Sequence, residues 1–332
     1  MRKLILPLLM LLLLSGCAAE KQVYQTVYLD VFDTVTTIRG YDVSQEAFTE
    51  KAETVHRELL AYHTLFDIYH STPTGISEIN SNAGIAPVAV DPRVMALLTD
   101  CRDYCTLTGG RVNIAMGSVL QLWHESREAG LANPTAAQLP DMTALQEAAK
   151  HTSFDTVILD EENNTVFLSD PQQRLDVGAI AKGWTAQQVS HLLPEGYLLN
   201  LGGNVCALGS KPDGSKWVIG IQSPEDPNNY LRTVGLSGIS AVTSGDYQRY
   251  YTVNDQRYHH IIDPTTLMPS TLWRSVSILC PDSGLADCLS TALFLMPLEE
   301  GRALAEKCGA EAMWIAPDNS IFYSAGFPST AG

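Results

Sequence analysis

Two histidines stand side by side in RYHHIIDP, residues 257–264, at the end of a β-type run and just before an aspartate and a proline. Adjacent imidazoles admit three roles: joint metal ligands, a catalytic base with an idle neighbour, or plain structural side chains. Side chains alternate across a strand, so in the strand expected at 257–262 His259 and His260 face opposite sides. They are therefore poor joint ligands for one ion. Only one can point into a cleft, and if it is His260, Ile262 shares its face. A neutral imidazole there can take a proton near pH 7, which is general-base chemistry. Asp263 falls on the other face and is expected to tie down the turn before Pro264.

Two further stretches carry chemistry-bearing residues. In ADCLSTALF (286–294), Asp287 and Thr291 are four apart on an expected helix, so both oxygens face one way. A carboxylate and a hydroxyl so placed can hold a hard cation such as Mg²⁺, which keeps waters for a phosphate. The plainer alternative puts Asp287 in the first turn, serving the helix dipole, with Thr291 half-buried. In LDVGAIAKGWTAQQV (175–189), a β-rich run passes through glycines into a helical pattern. Backbone N–H groups and Lys182 near that helix start form an anion site, or else a simple strand-to-helix turn with an exposed lysine. The lysine precedes the second glycine, so this is not a Walker loop. LGGNVCALG lacks the dinucleotide spacing, and neither G-x-S-x-G nor H-E-x-x-H occurs. TSGDYQRYY (243–251) offers Ser244, Asp246 and Arg249 for polar contacts.

The elements that position these residues follow from periodicity and caps. TVYLDVFDTVTTI (26–38) reads as one strand. Ser44 caps a helix through about Phe66, and Asp91-Pro92 open another that Gly109-Gly110 end. Helices are expected at 114–127, 142–150, 284–296 and 298–308. Hairpins are expected over 154–168, at Pro212-Asp213-Gly214 and at Asp318-Asn319, and strands at 239–243, 247–253 and 274–280. Strands come as antiparallel meanders with inserted helices, which makes the fold α+β rather than a wound parallel sheet. No linker divides the chain.

Arg2 and Lys3, an apolar run from Leu4 to Leu14 and then Leu14-Ser15-Gly16-Cys17 form an export signal. The run is too short for a membrane span, which needs ~20 residues. The formal charge of −16 counts against a nucleic-acid surface and against electrostatic docking on anionic lipid. A phosphate-bearing ligand must then be met by local positive groups. Cys101 and Cys105 share one expected helix face as small buried side chains, and no C-x-x-C pair supports zinc. Export permits disulfides, but a core this large does not require them.

Taken in order, several blocks make the chain resemble the ApbE family of FAD:protein FMN transferases. They are FDTVTTI (32–38), GGRVNIAMGSVLQLW (109–123), LDVGAIAKG (175–183), LNLGGNV (199–205), TSGDYQRYY (243–251), HIIDPTTLMP (260–269) and ADCLSTALF (286–294). The resemblance implies a T-fold-related α+β architecture over 26–327, with FAD in a cleft between two lobes. It also implies a phosphoryl transfer, in which an acceptor protein's threonine hydroxyl attacks the FMN-side phosphorus of FAD and AMP leaves. Mg²⁺ would be held by Asp287, Thr291 and the Ala179 carbonyl. Lys182 would lie by the phosphates, Asp176 would accept hydrogen bonds from the cofactor, and Tyr69 would pack on the flavin nucleotide. Arg111, Val112, Asn113, Ser244, Asp246 and Ile262 complete the implied FAD contacts, and His260 takes the position of the catalytic base. His259 is then structural or solvent-facing.

The Leu-Ser-Gly-Cys stretch resembles a bacterial lipoprotein signal. Residues 1–16 would be removed, Cys17 lipidated, and 17–25 would form a tether holding an extracytoplasmic protein to the membrane. The expected acceptor carries a threonine motif and is a membrane redox subunit. No such motif occurs in this chain, so it should modify another protein rather than itself. Three departures from the family pattern stand out: Asn113 where aspartate is common, Phe32-Asp33 for Met-Gly, and DPTTLMP without a glycine after its second threonine. Two other functions fit the same residues, an FAD pyrophosphatase giving free FMN and AMP, and a flavin-binding surface lipoprotein without turnover.

Overall fold

A computed structural model describes residues 20–226 and 228–328. The signal and Cys17 lie outside the described residues. The central sheet has eight antiparallel strands: β1 (Gln22–Val31), β2 (Thr34–Asp42), β6 (Tyr197–Leu201), β7 (Asn204–Leu208), β10 (Ser240–Gly245), β13 (Ser275–Cys280), β14 (Glu311–Ile315) and β15 (Ile321–Tyr323), in that spatial order. One face is covered by α1 (Gln45–Phe66), α3 (Pro92–Leu107), α6 (Ala181–Ser190), α7 (Ser283–Phe294) and α8 (Leu298–Lys307), which share the main core with its inward residues. The other face is covered in part by the hairpin of β8 (Trp217–Gln222) and β9 (Tyr230–Leu236), through Trp217, Ile221, Val234 and Leu236. A three-stranded sheet of β3 (Val88–Ala89), β4 (Val157–Asp160) and β5 (Thr165–Leu168) lies beside α2 (Ile76–Ser81). A smaller lobe is built from α4 (Gly117–Ala132), α5 (Met142–Ala148), β11 (Tyr250–Val253) and β12 (Gln256–His259), with its own core of Val119, Trp123, Tyr251 and Leu267.

Local chemistry explains most boundaries. Ser44 Oγ accepts from the Ala47 N–H, Asp91 Oδ1 from Arg93 and Asp282 Oδ1 from Leu285, so α1, α3 and α7 each start on a side-chain cap. The α+β meander is as expected.

Four details differ from expectation. Residues 26–38 form two strands, not one: the chain reverses at Phe32-Asp33, both left-handed with φ of 53° and 50°. No glycine marks that turn. It is held because the Phe32 N–H donates to His63 Nδ1 at 3.1 Å and the Phe32 ring packs edge-on against His63. The strand β1 also begins at Gln22, inside the segment assigned to the tether. The turn at 212–214 forms, but β7 stays in the central sheet while β8 pairs with β9, so no hairpin results. Lastly, β12 ends at His259, and His260 lies beyond it. The described cysteines, at 101, 105, 206, 280, 288 and 308, are all free thiols.

Candidate active site

A cavity of about 980 Å³ opens between the main body and the smaller lobe. Its wall takes in Tyr69, Arg111, Val112, Asn113, Asp176, Ala179, Lys182, Ser244, His260, Ile262, Asp287 and Thr291, the sequence-predicted set apart from Asp246. Asp246 is the exception. The strand β10 ends at Gly245, the chain turns, and the Asp246 carboxylate lies 3.9 Å from Arg274, away from the wall.

Both histidines border the cavity, and it is their hydrogen bonds that separate them. His259 is buried, its Nε2–H donates to the Ser270 carbonyl at 2.8 Å, and its Nδ1 accepts the Ile261 N–H at 3.2 Å. Both nitrogens are used, so His259 is a neutral structural side chain, not a solvent-facing one. His260 donates from Nδ1–H to the Arg249 carbonyl at 3.1 Å, and its backbone N–H donates to the same oxygen at 3.1 Å. A carbonyl only accepts, so the proton sits on Nδ1 and Nε2 presents its lone pair to the cleft. Burial and the neighbouring Arg249 charge push the His260 imidazolium down to about 3, so the ring stays neutral. Asp263 behaves as expected: its Oδ1 accepts the Thr265 N–H at 2.7 Å and closes the turn. The glycine missing from that turn is replaced by Leu267, left-handed at φ 60°. Its side chain is buried in the smaller lobe and its carbonyl accepts from Trp123 Nε1 at 2.9 Å.

Asp287 lies in the second turn of α7, buried, while Asp282 serves the helix start. The dipole alternative therefore falls. Asp287 Oδ2 accepts the Gly183 N–H at 2.7 Å and lies 3.4 Å from Asn204 Nδ2. This bond caps α6: Gly183 is its third residue, and its N–H is one of the helix-start donors that have no acceptor within the helix. The Ala179 carbonyl, in an exposed turn on the cleft wall, is left without a backbone partner among the described residues. Gly183 permits the contact, since a Cβ there would sit 2.3 Å from the Asp287 Cβ and 2.4 Å from the Ser283 carbonyl oxygen. Burial raises the Asp287 carboxyl above its ordinary range, and the Lys182 charge opposes that rise. A half-used buried carboxylate, a hydroxyl one helical turn on and an orphaned carbonyl suit a hard cation. No cluster of three or more His, Cys, Asp or Glu ligands exists among the described residues, so any such site depends on the neutral oxygens.

Other predicted residues build the wall. Ser244 Oγ meets Ser290 Oγ at 2.8 Å, and Ser290 Oγ–H donates to the Asp287 carbonyl, bracing α7 against β10. Asp176 Oδ1 accepts the Gly178 N–H at 2.8 Å, and burial raises its carboxyl. Asn113 is already committed, donating to the Thr152 carbonyl at 2.8 Å and accepting from Ala115 N–H at 2.9 Å. Arg111 caps α7, donating to the Leu295 carbonyl at 2.6 Å near Glu300, so its charge is spent on that helix end as well as on the cleft. Tyr69 is exposed at the mouth and stacks on His124 with ring centroids 4.8 Å apart. Arg127 donates to His124 Nδ1 at 3.1 Å. Sequence reasoning missed His124, Arg127 and Asn204. The first two are one turn apart on α4, a spacing visible in LWHESRE, whereas nothing local marks Asn204.

A deep cleft with Lys182 and Arg249 on its wall, a neutral imidazole and a half-used buried carboxylate suits a phosphate-linked ligand. The ApbE family profile matches residues 32–314, and the chain belongs to that family. Among curated relatives, the FAD:protein FMN transferase of Treponema pallidum is 33% identical, over 89% of this chain and 85% of its own. That of Klebsiella pneumoniae is 34% identical over 75% of this chain and 77% of its own. The ApbE protein of Thermotoga maritima superposes with a TM-score of 0.82 at 28% identity, covering 92% of this chain and 98% of its own. The flavin transferase ApbE of Vibrio cholerae shares the fold, with a TM-score of 0.77 at 23% identity over 92% of this chain and 98% of its own.

Proposed function

We propose that this protein transfers FMN from FAD to a threonine hydroxyl of an acceptor protein, with Mg²⁺ and release of AMP. The observation that carries the reading is the His260 tautomer, with Nδ1–H held by the Arg249 carbonyl and Nε2 facing the cleft that Lys182 and Asp287 share. His260 Nε2 takes the acceptor hydroxyl proton as the oxygen attacks the FMN-side phosphorus. The bond to the AMP phosphate breaks, and AMP leaves with that electron pair. Mg²⁺ held by Asp287, Thr291 and the Ala179 carbonyl would neutralise charge on the pyrophosphate as the bond breaks. Lys182 holds the same phosphates by its side chain, since the N–H groups of Ile180, Ala181, Gly183 and Trp184 at the start of α6 are taken by Val177, Asp287 and Ile180. Asp176 accepts from the nucleotide, and Tyr69 with His124 offers a ring surface to the flavin. Residues 2–17 support a lipoprotein whose acyl chain on Cys17 keeps the enzyme at the extracytoplasmic membrane face, with a membrane redox subunit as acceptor. Among the described residues no helix is long and apolar enough to cross a membrane.

The test is incubation with FAD, Mg²⁺ and a candidate acceptor, followed by acceptor mass and AMP. A gain of one FMN on the acceptor is expected. Free FMN with an unmodified acceptor would make the enzyme a pyrophosphatase, and unchanged FAD would make it a binder. The chain itself should stay unlabelled after FAD and Mg²⁺ treatment without acceptor. Covalent flavin on the denatured chain would contradict transfer to another protein.

A further inference from the structure

The outward face of the β1–β2 hairpin has no partner. Tyr24 and Tyr28 turn inward onto Phe48 and His56 of α1, so Val23, Gln25, Val27 and Leu29 turn outward. Val35, Thr37 and Arg39 of β2 join them, with Val27 opposite Thr37. The hairpin β8–β9 covers this side of the sheet over β7, β10, β13 and β14, and stops at Tyr41 and Leu198. Beyond it Val23, Val27, Leu29 and Val35 are 43, 48, 73 and 55% exposed. The strand β1 is also the edge of the sheet, ten residues long, with one row of backbone groups unpaired. A long, apolar, uncovered edge is a surface that natural proteins cover or blunt.

We propose that this face rests on the lipid bilayer at headgroup depth, and so sets the orientation of the cleft toward the membrane. The proposal rests on the lipoprotein reading of Cys17. Only residues 18–21 separate Cys17 from β1, a reach of at most about 15 Å, so the acyl chain and this face are held together. Tethering turns a weak surface contact into an intramolecular one with a high effective concentration. Charge agrees. The chain carries 37 acidic residues, yet the outward positions 23, 25, 27, 29, 35, 37, 39 and 41 include none, and Arg39 is among them. An anionic bilayer that the net charge of −16 would repel is therefore met by an acid-free apolar strip. The unpaired edge groups keep the contact at headgroup depth, since open sheet edges do not enter hydrocarbon. Val35 belongs both to this face and to the cleft wall, with Phe32, Asp33 and Thr34 beside it, so docking places the cleft rim next to the bilayer.

All five native tryptophans are buried, so one added indole reports the surface. The test uses the full chain, lipidated in its host and bound to phosphatidylcholine–phosphatidylglycerol vesicles carrying headgroup nitroxide lipid. Leu29→Trp is compared with Ile85→Trp, the latter in the exposed loop after α2. The added fluorescence of Leu29→Trp should be quenched at least twofold more than that of Ile85→Trp. Equal quenching, or no quenching of vesicle-bound Leu29→Trp, overturns the proposal. Failure to sediment with vesicles overturns it at the lipoprotein reading instead. An emission shift with protein concentration or with acceptor, absent lipid quenching, assigns the face to a second copy or to the acceptor and likewise overturns it.

Discussion

His260 and His259 are neighbours in sequence with opposite duties, and their hydrogen bonds predict opposite phenotypes. His260→Asn removes the Nε2 lone pair and should lower FMN transfer by ~10²–10⁴ while FAD still binds. His259→Asn should stay within a few-fold in rate but lose ~1–3 kcal/mol of stability, because the Ser270 carbonyl and the Ile261 N–H lose a buried partner. A denaturation midpoint beside a transfer assay separates the two, and a dead but stable His259→Asn would refute the assignment. The pH dependence follows in sign. Burial and Arg249 lower the folded-state His260 pKa below its unfolded value, so the unfolded chain protonates first as pH falls. The neutral ring's contribution to stability is complete above about pH 6.5 and is lost below it. Wild type should therefore lose thermal stability faster than His260→Asn between pH 7.5 and 5. In the proposed mechanism Asp287, whose carboxyl burial raises, must be ionised to hold a cation, so it should contribute to the acid limb of activity. Asp287→Asn should abolish Mg²⁺-dependent turnover and any Mg²⁺-induced rise in melting temperature. Asp287→Ala is the poorer probe, because it also strands the buried Gly183 N–H.

The helices α1, α3 and α7 were legible because caps and apolar periodicity are local; Ser44 and Asp91 do in space what their types announce, and Asp282, which the sequence reading did not use, does the same for α7. The Asp287/Thr291 pair was legible for the same reason, as an i, i+4 spacing. The Phe32-Asp33 reversal was not, since it has no glycine, only Asp33 of the pair readily tolerates a left-handed backbone, and the bond that holds Phe32 comes from His63, 31 positions away. Nor was the outward turn of Asp246, which depends on where β10 stops. Two substitutions test how elements, rather than single side chains, hold the site. Gly183→Ala sets a methyl group against the Asp287 Cβ and the Ser283 carbonyl, so α6 and α7 must separate. It should cost ~1–3 kcal/mol and weaken Mg²⁺ binding with every proposed ligand intact. At Leu267 the usual order of small residues should invert. Leu267→Ala keeps the left-handed backbone and forfeits the buried side chain, at ~2–5 kcal/mol. Leu267→Gly forfeits the same packing but relieves ~1–2 kcal/mol of backbone strain. The glycine variant should melt above the alanine variant; the reverse order would mean the turn is not strained.

Charge is where the molecule as a whole opposes its own site. Lys182, Arg111, Arg127 and Arg249 line the cleft and balance Asp33, Asp67, Asp176 and Asp287 there, whereas the chain carries −16 overall. Short-range attraction in the cleft is shielded by low-dielectric walls and governs how long a doubly negative dinucleotide stays. The long-range field governs how often it arrives, and that field is repulsive. Salt removes the long-range part first, because the Debye length falls from about 20 Å at 20 mM to about 7 Å at 200 mM, less than the radius of a protein this size. The association rate for FAD should therefore rise with ionic strength, about two- to fivefold over that range, opposite to an electrostatically steered ligand. The dissociation rate should rise as well, as the cleft contacts are screened, and Lys182→Met should flatten the salt dependence of dissociation while leaving that of association in place. Stopped-flow flavin fluorescence at fixed pH resolves both rates. An association rate that falls with salt would show that the cleft cations project beyond the acidic surface and steer the ligand in.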